Sequence, residues 1–322
     1  MISLFAVVVT WNGEDCIAKC LQSLLNADIP MQIVVVDNAS SDQTVEIVQA
    51  ICPDAIIFQL TQNLGFGKAN NIGIKYAYEH GAEHVLLINQ DAYVDANTPK
   101  TLVALQQANP ESAILSPLHL DATGRHLDRL FANHIGKTAS IRELLSDALL
   151  KREIADIYHV DFINAAIWLL SRDCVTHIGL FNPTFDHYRE DDEYVDRVRY
   201  KGFNVSLATT CYAYHQRTQD PTPDNLSTAR HLLKANAEVQ YRISRKTAST
   251  WFNITSTIFY IMFFRPSSST SFVRSIEMRL RLLHKLFSIL PTALRCRNRT
   301  YNETKCFFDD TGLDSQRYIV ND

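Results

Sequence analysis

Strand-like and helix-like segments alternate through the first 117 residues of this 322-residue chain. The strand-like segments are short, apolar and rich in β-branched residues, and they cover residues 4–10, 31–37, 55–60, 84–89 and 113–117. The helical patterns between them cover residues 14–26, 42–51, 68–80 and 97–108. Near-continuous apolar runs are typical of parallel strands buried on both faces. Their alternation with helices predicts right-handed βαβ units and a doubly wound, mostly parallel α/β sheet.

The rest of the chain is less regular. A helix is predicted at 140–155, strand-like segments at 157–171 and 203–215, and a helix at 190–201 between these two. From Asp224 onward the sequence is helical, apolar and basic. We therefore predict an α/β domain over residues 1–220 and a helical C-terminal region over residues 221–322.

Composition excludes some classes of protein. The net charge of −4 lacks the basic excess of a general nucleic-acid binder, so no nucleic-acid partner is expected. Seven scattered cysteines without a C-x-x-C pair favour reduced thiols and a cytoplasmic location. The N-terminus enters a strand directly and lacks the basic and small-residue features of a signal peptide. The longest apolar run, residues 251–264, is too short to span a bilayer.

Polar residues follow each of the first four predicted strands. The exits read "TWN" (10–12), "DNASSD" (37–42), "QNLGFGKANNIG" (62–73) and "NQD" (89–91). One such exit is an ordinary turn, but ligands of open α/β sheets bind at the carboxyl ends of the strands, and four exits in a row predict a binding crevice. The glycine spacing of the third exit fits neither a dinucleotide fingerprint nor a P-loop, although the following helix N-terminus can receive a phosphate.

An acidic run at residues 190–193, "EDDE", opens the predicted helix 190–201. One interpretation is a solvated helix N-terminus, where the macrodipole favours carboxylates. The other is a catalytic base beside a metal or phosphate site.

Five ordered motifs resemble the inverting family-2 glycosyltransferases of the GT-A fold, and especially their bacterial rhamnosyltransferase-like branch. The motifs, within residues 3–217, are "VVVTWN", "VVVDNASSD", "NLGFGKANNIGI", "LLINQD" and "REDDEYVDRVRYKGF". The resemblance implies a GT-A-like fold with a nucleotide-binding half at 1–117 and an acceptor half at 118–220. It also implies sugar transfer from a UDP- or dTDP-sugar, dTDP-rhamnose being one candidate, to a hydroxyl of a glycan acceptor in cell-surface polysaccharide synthesis.

The resemblance also implies roles for single residues. Asp37 matches the carboxylate that binds the pyrimidine base, and Asp91 matches the ligand of a Mg²⁺ or Mn²⁺ ion that bridges the donor's phosphates. Asn89 replaces the usual first aspartate of that motif, so the ion depends more on phosphate and water oxygens. The other positions predicted to bind the nucleotide-sugar are Thr10, Asn12, Asn63, Gly65 and Lys68.

His215 ends a predicted strand, and in relatives a histidine there completes the metal site; a backbone-bonded structural histidine is the alternative. Asp191 matches the general base that removes the proton of the acceptor hydroxyl, and Glu190 positions the acceptor or the base. Asp192 and Glu193 depart from the family pattern. They either raise the pKa of Asp191 by repulsion or form a solvated face.

Two other functions compete with this one. A nucleotidyltransferase shares the doubly wound sheet, but it requires a glycine-rich basic signature after the first strand, where this chain has "WNGEDC". A catalytically inactive scaffold of the same fold is the second alternative, which Asn89 keeps open.

The C-terminal region combines apolar and basic residues. Between residues 265 and 299 there are eight Lys or Arg residues and one acid, Glu277. A helix through this segment places on one side Ile276, Leu280, Leu283, Leu286, Phe287 and Leu290. This pattern predicts either an interfacial helix on the inner face of the cytoplasmic membrane, suited to a lipid-linked acceptor, or a helix packed on the protein itself.

Overall fold

One mixed sheet organises the molecule. The computed structural model describes residues 3–135, 141–216, 224–246, 249–264, 272–310 and 318–320. The strands of the sheet are β1 (Leu4–Thr10), β2 (Gln32–Asp37), β3 (Ile56–Gln59), β4 (His84–Asn89), β5 (Ala92–Val94), β6 (Ser112–Asp121), β7 (Ile157–His159), β8 (Ile167–Ser171), β9 (Asn204–His215) and β10 (Tyr318–Val320). Their order is β10-β3-β2-β1-β4-β8-β6-β9-β5, and β7 pairs with β9.

Strand β1 shows why this sheet forms. It pairs in parallel with β2 on one side and with β4 on the other. Phe5 and Val7 pack into one apolar layer, whereas Ala6 and Val8 pack into the layer on the opposite face. Burial of one such side chain stabilises the fold by about 1.5–3 kcal/mol, and both sets of side chains are almost fully buried.

Helices cover both faces of the sheet and form the C-terminal region. They are α1 (Ile17–Leu25), α2 (Thr44–Ile51), α3 (Phe66–Glu79), α4 (Thr98–Ala108), α5 (Arg129–Ile135), α6 (Arg142–Leu149), α7 (Arg172–Ile178), α8 (Glu190–Tyr200), α9 (Asp224–Ser244), α10 (Thr250–Met262) and α11 (Phe272–Asn302). The predicted doubly wound, mostly parallel α/β fold with a helical C-terminal part is confirmed. The predicted domain boundary at residue 220 lies outside the described residues. The division of residues 1–220 into a nucleotide-binding half and an acceptor half stays a prediction.

The sequence prediction of one strand over 157–171 is wrong. This segment forms β7, which pairs with β9, and β8, which lies between β4 and β6. The two partners occupy different places in the sheet, so the chain must break between them. β5 and β10 were not predicted from the sequence because each has only three residues.

The C-terminal helices have an apolar core of their own. Ala235 and Val239 of α9, Ile261 of α10, and Leu282 and Leu286 of α11 are buried together. Within the described residues, none of the helices is both long and apolar enough to cross a bilayer.

The segment after α11 joins this region to the α/β layers. Cys306 and Phe307 belong to the core on one face of the sheet. The backbone of Cys306 also contacts Gly179, the residue that ends α7, and its carbonyl accepts a hydrogen bond from the Leu180 amide at 2.9 Å. Gly179 has φ 86° and ψ −152°, a backbone conformation available almost exclusively to glycine.

We expect Gly179→Ala to destabilise the protein more than Gly81→Ala. Both glycines have a positive φ, which costs an alanine about 1–2 kcal/mol. At Gly179 the added methyl group would also lie 2.4 Å from backbone atoms of Cys306, whereas at Gly81 it would meet nothing within 4 Å. Chemical denaturation of both variants measures the difference. Equal losses of unfolding free energy would show that the backbone at Cys306 can shift away from the added methyl group without a further loss of stability.

Candidate active site

The carboxyl ends of β1, β2 and β4 meet at one edge of the sheet. Thr10 lies opposite Asp37, and Val9 lies opposite Asn89. Thr10 and Asp37 are almost fully buried. The Asp37 carboxylate accepts hydrogen bonds from the Ser40 amide at 3.2 and 3.3 Å, while burial raises the pKa of Asp37. Parallel pairing thus brings two predicted nucleotide-binding side chains to the same place.

Gln90 links the first and fourth strand exits, a role that sequence reasoning missed. Its Oε1 accepts hydrogen bonds from Thr10 Oγ1 at 2.5 Å and from the Trp11 amide at 2.8 Å. Its Nε2 donates to the Trp11 carbonyl at 3.1 Å. A Cβ on Gly13 would clash with the end of the Gln90 side chain, so a larger residue there would displace Gln90. The central residue of "NQD" therefore fixes the crevice wall.

Asn12 organises the loop after β2. It has a left-handed backbone with φ 45°, which asparagine tolerates better than most residues. Its Oδ1 accepts from the Ser41 amide and its own amide donates to Ser40 Oγ, each at 2.9 Å. The side chain is exposed at the rim, and these bonds make its observed role structural.

A network of amide side chains shapes the loop before α3. The Asn38 side chain donates to Asn63 Oδ1 at 3.0 Å and accepts from the Leu64 amide at 2.7 Å. Asn63 Oδ1 also accepts from the Gly65 amide at 2.9 Å. Gly65 is the N-cap of α3, with φ 84°, and its conformation explains why the helix begins at Phe66, earlier than predicted.

The loop before α3 touches the loop before α8. A Cβ on Gly65 would lie 2.1 Å from the Asp186 carbonyl oxygen, so only glycine permits this approach. Lys68 Nζ forms an ion pair with the exposed Asp186 carboxylate at 3.0 Å. Gly67 lies against the Glu190 side chain, with 3.5 Å between the Cβ positions. The predicted donor loop and the acidic run are therefore neighbours.

Asp91 and His215 come together from β4 and β9. Asp91 Oδ1 lies 3.1 Å from His215 Nε2, and the carboxylate remains partly exposed while the imidazole is buried. Within the described part of the chain, His215 Nδ1 is buried without a hydrogen-bond partner, which weakens the structural alternative for this histidine.

The donor set of Asp91 and His215 suits a divalent ion. A carboxylate and an imidazole fit two positions of a Mn²⁺ ion or, less favourably, a Mg²⁺ ion. No cluster of three or more His, Cys, Asp or Glu ligands occurs among the described residues. If an ion binds there, substrate or water oxygens would supply its remaining ligands.

The prediction that the acidic run is a solvated face is wrong, because its four carboxylates occupy different environments. Glu193 is buried and pairs with the buried Arg197 at 3.1 Å, so this pair is structural. Asp192 Oδ1 accepts from Arg189 Nη1 at 2.7 Å. Among the described residues, Glu190 and Asp191 have no cationic partner within ion-pair or hydrogen-bond distance.

Burial makes Glu190 and Asp191 unusual carboxylic acids. Glu190 is 7% exposed, and its Oε2 has no hydrogen-bond partner within the described residues. Burial, with the charge of Asp192, raises the pKa of Glu190 to about 7. Burial also raises the pKa of Asp191 well above its ordinary value, and the charges of Asp192 and Glu190 add to this effect. Glu190 can therefore hold a proton near neutral pH, and burial disfavours the charged form of Asp191 in the same direction.

Asp191 is connected to the crevice through the two residues that precede β8. Its carboxylate accepts hydrogen bonds from the Asp192 amide at 2.9 Å and from the Ala165 amide. The carbonyl of the next residue, Ala166, accepts from the Asn89 amide at 2.9 Å. Asp191 and the "NQD" exit thus border the same short stretch of backbone.

A cavity of about 750 Å³ lies elsewhere, among the amino ends of β1 and β2. Its lining includes Ser3, Met31, Asp54 and His80. It contains none of the residues predicted to bind donor, acceptor or metal, so its size carries no functional argument. The chemistry points to the carboxyl edge.

Comparison with known proteins agrees with this geometry. Residues 5–163 match the family model described as "Glycosyl transferase family 2". The chain is 32% identical over 121 residues to the poly(ribitol-phosphate) β-N-acetylglucosaminyltransferase TarS of Staphylococcus aureus. This alignment covers 36% of this chain and 21% of TarS. It is 32% identical over 132 residues to the dTDP-rhamnosyl transferase RfbF of Shigella flexneri, covering 38% and 41% of the two chains.

Solved structures share the fold over most of this chain. TarS residues 1–349 in complex with UDP-GlcNAc superpose with a TM-score of 0.55 at 15% identity, covering 97% of this chain and 89% of that one. The mannosyltransferase PcManGT of Pyrobaculum calidifontis, in complex with GDP-Man and Mn²⁺, gives 0.56 at 15% identity, covering 97% and 86%. Residues 5–163 thus form a region of glycosyltransferase family 2, and the chain has the GT-A fold.

Proposed function

We propose that this protein is an inverting glycosyltransferase that uses a UDP- or dTDP-sugar, dTDP-rhamnose being one candidate, in cell-surface polysaccharide synthesis. One observation carries the proposal: a carboxylate whose pKa is raised by burial, Asp191, borders the same backbone stretch as the exit of β4, which leads to the Asp91–His215 pair. The pyrimidine choice rests on Asp37 at the end of β2. The names of TarS and RfbF support a nucleotide-sugar donor without fixing the sugar.

The chemistry follows from these positions. Thr10 and Asp37 would hold the nucleoside, and Asp91 with His215 would hold Mn²⁺ or Mg²⁺. That ion, when bound, neutralises charge on the departing diphosphate. Asp191 takes the proton of the acceptor hydroxyl as its oxygen bonds to the anomeric carbon, and the bond from that carbon to the diphosphate oxygen breaks.

We expect Asp191→Asn to lower turnover ~10²–10⁴-fold, because the amide cannot take the acceptor's proton. The matched control is Asp309→Asn, the same change at an exposed site. Wild-type turnover should also fall as pH drops through the raised pKa of Asp191, since only the ionised carboxylate is a base. Transfer assays with UDP- and dTDP-sugars measure both effects. Near-normal turnover of Asp191→Asn would exclude this base, and a wild type that neither transfers nor hydrolyses any donor would favour an inactive scaffold.

We expect Asp91→Ala and His215→Ala to weaken UDP or dTDP binding at least about tenfold in the presence of Mn²⁺ and to have little effect in EDTA. The reason is that the two side chains act through the ion rather than on the nucleotide. His126→Ala is the control, since His126 faces Asp121 at 3.3 Å on the surface. Calorimetric titration of each nucleotide provides the affinities. Wild-type affinity that is the same with Mn²⁺ and with EDTA would contradict the metal assignment.

We further propose that the protein attaches to the inner face of the cytoplasmic membrane, where a lipid-linked acceptor would lie. The predicted apolar face of α11 is divided: Leu286 is buried in the C-terminal core, whereas Ile276, Leu280 and Phe287 are exposed. The adjoining helix α10 also exposes large apolar side chains, namely Trp251, Phe252, Phe259, Met262 and Phe263. Monomeric soluble proteins rarely expose so many large apolar side chains along one helix.

Basic residues on α11 favour an anionic surface as the partner. Arg281 and Arg295 are exposed and Lys285 is partly exposed, and each cation near a charged leaflet contributes ~1 kcal/mol. Arg297 is buried and Arg299 pairs with Glu303 and Asp310, so these two contribute little. Deleting residues 250–322 would also remove Phe307 from the main core, and point substitutions are therefore the cleaner test.

We expect the full-length protein to sediment with phosphatidylglycerol vesicles at low salt and to be released at high salt. Replacing Trp251, Phe252, Phe259 and Phe263 with Ser should abolish sedimentation, because the aromatic rings provide the buried area. The control replaces Leu149 and Leu150, which are exposed beside α6, with Ser. Wild-type protein that stays in the supernatant at low salt would assign this face to another contact and favour a soluble acceptor.

A further inference from the structure

The turn that leads into α8 is strained. Tyr188 and Arg189 have φ values of 69° and 68°, so two successive non-glycine residues adopt the left-handed conformation. Each such residue costs about 1–3 kcal/mol and persists only where the surrounding structure enforces it. Glu190 and Asp191 follow this turn directly, so its shape sets the direction in which the acidic pair is presented.

Helix α9 supplies the groups that hold this turn. Arg189 Nη2 lies 2.7 Å from Glu238 Oε2, and its guanidinium lies 5.3 Å from the centre of the Tyr241 ring. Lys234 Nζ lies 5.3 Å from the centre of the Tyr188 ring. Lys234, Glu238 and Tyr241 are spaced by four and three residues, so they form one stripe on the helix. One face of α9 therefore contacts both strained residues.

Arg189 also reaches forward into α8. Its Nη1 donates to Asp192 Oδ1 at 2.7 Å, so one planar guanidinium joins a carboxylate of α8 to a carboxylate of α9. Arginine suits this role because its fork of donors fixes direction as well as charge. Glu238 is held in turn by Arg242 Nε at 2.7 Å.

We propose that Glu238 of the C-terminal region positions the general base through Arg189. This inference rests on the proposed function, because it presumes that Asp191 is the base. Arg189 is a positioning residue: it fixes the strained turn and neutralises Asp192, one of the two carboxylates adjacent to Asp191 along the chain. The helical region is then part of the catalytic unit rather than an appendage.

Several charged groups surround the acidic pair. On α8 these groups are Glu190, Asp191 and Asp192. On α9 they are Lys234, Glu238 and Arg242. The ion pair of Lys68 in α3 with Asp186 in the loop before α8 completes the set. Arg189 is the cation bonded to Asp192 itself. Removing its charge leaves Asp192 free to repel the ionised form of Asp191.

We expect Arg189→Met to move the acid limb of the kcat–pH profile upward by about one unit. It should also lower kcat near neutral pH about 10²-fold, since a small displacement of a positioned group has effects of that size. UDP affinity should not change, because the predicted nucleotide contacts lie at β1 and β2. Arg189→Lys keeps the charge and should restore the acid limb. Adding Asp192→Asn to Arg189→Met should cancel the shift of the limb.

Glu238→Gln tests the contribution of α9, and its matched control is Glu277→Gln. Glu277 forms an exposed ion pair with Arg281 at 2.6 Å in α11, remote from the turn in sequence. Glu238→Gln should lower kcat without changing UDP affinity, whereas Glu277→Gln should match the wild type. If Arg189→Met does not fold, the Glu238 variant alone decides whether α9 affects the base.

Two results would overturn the inference. One is an acid limb that does not move in Arg189→Met while the rate falls equally at every pH; the other is a Glu238→Gln enzyme identical to the wild type. Failure of the proposed function is visible separately, as a wild type without transfer activity or an Asp191→Asn variant with full activity.

Discussion

Parallel pairing of β1 with β2 and β4 is the constraint on which the site depends. It places three strand exits at one edge, so that Thr10, Asp37 and Asn89 become neighbours without being close in sequence. Antiparallel pairing would send alternate exits to opposite edges. Apolar side chains on both faces of β1 make the arrangement stable, and the polar exits follow where those runs end.

The side of the crevice formed by the start of α8 brings several carboxylates close together. Four acidic residues begin α8, and the surrounding structure accommodates their charges in different ways. Arg197 neutralises Glu193 inside the core, Arg189 neutralises Asp192 at the interface with α9, and burial raises the pKa of Glu190 and Asp191. A buried carboxylate with a raised pKa is poorly suited to a structural ion pair and well suited to proton transfer.

The sequence predicted the sheet well because its signal is local. Each buried parallel strand is a continuous apolar run, and each exit is polar. The pairing of Asp91 with His215 was reached through family resemblance, since 124 residues separate them and no spacing rule relates them. The roles of Gln90 and Arg189 were missed because they depend on the partner each side chain meets: Thr10 in one case and Glu238 in the other. Composition cannot reveal such partners.

The C-terminal helices show that sequence patterns also do not reveal the partners of apolar side chains. Periodicity located an apolar face on α11, but it could not decide between burial and exposure, and the structure contains both. Leu286 packs against α9 and α10 in a small core, whereas Phe287, the next residue, stays in solvent. A helix that contacts its neighbours over a narrow stripe can bury only part of a wide apolar face. The rest of the apolar face of α11 is exposed. Because α11 also packs against α9 in the C-terminal core, a contact made by this exposed surface would act on α9, the helix that holds Arg189.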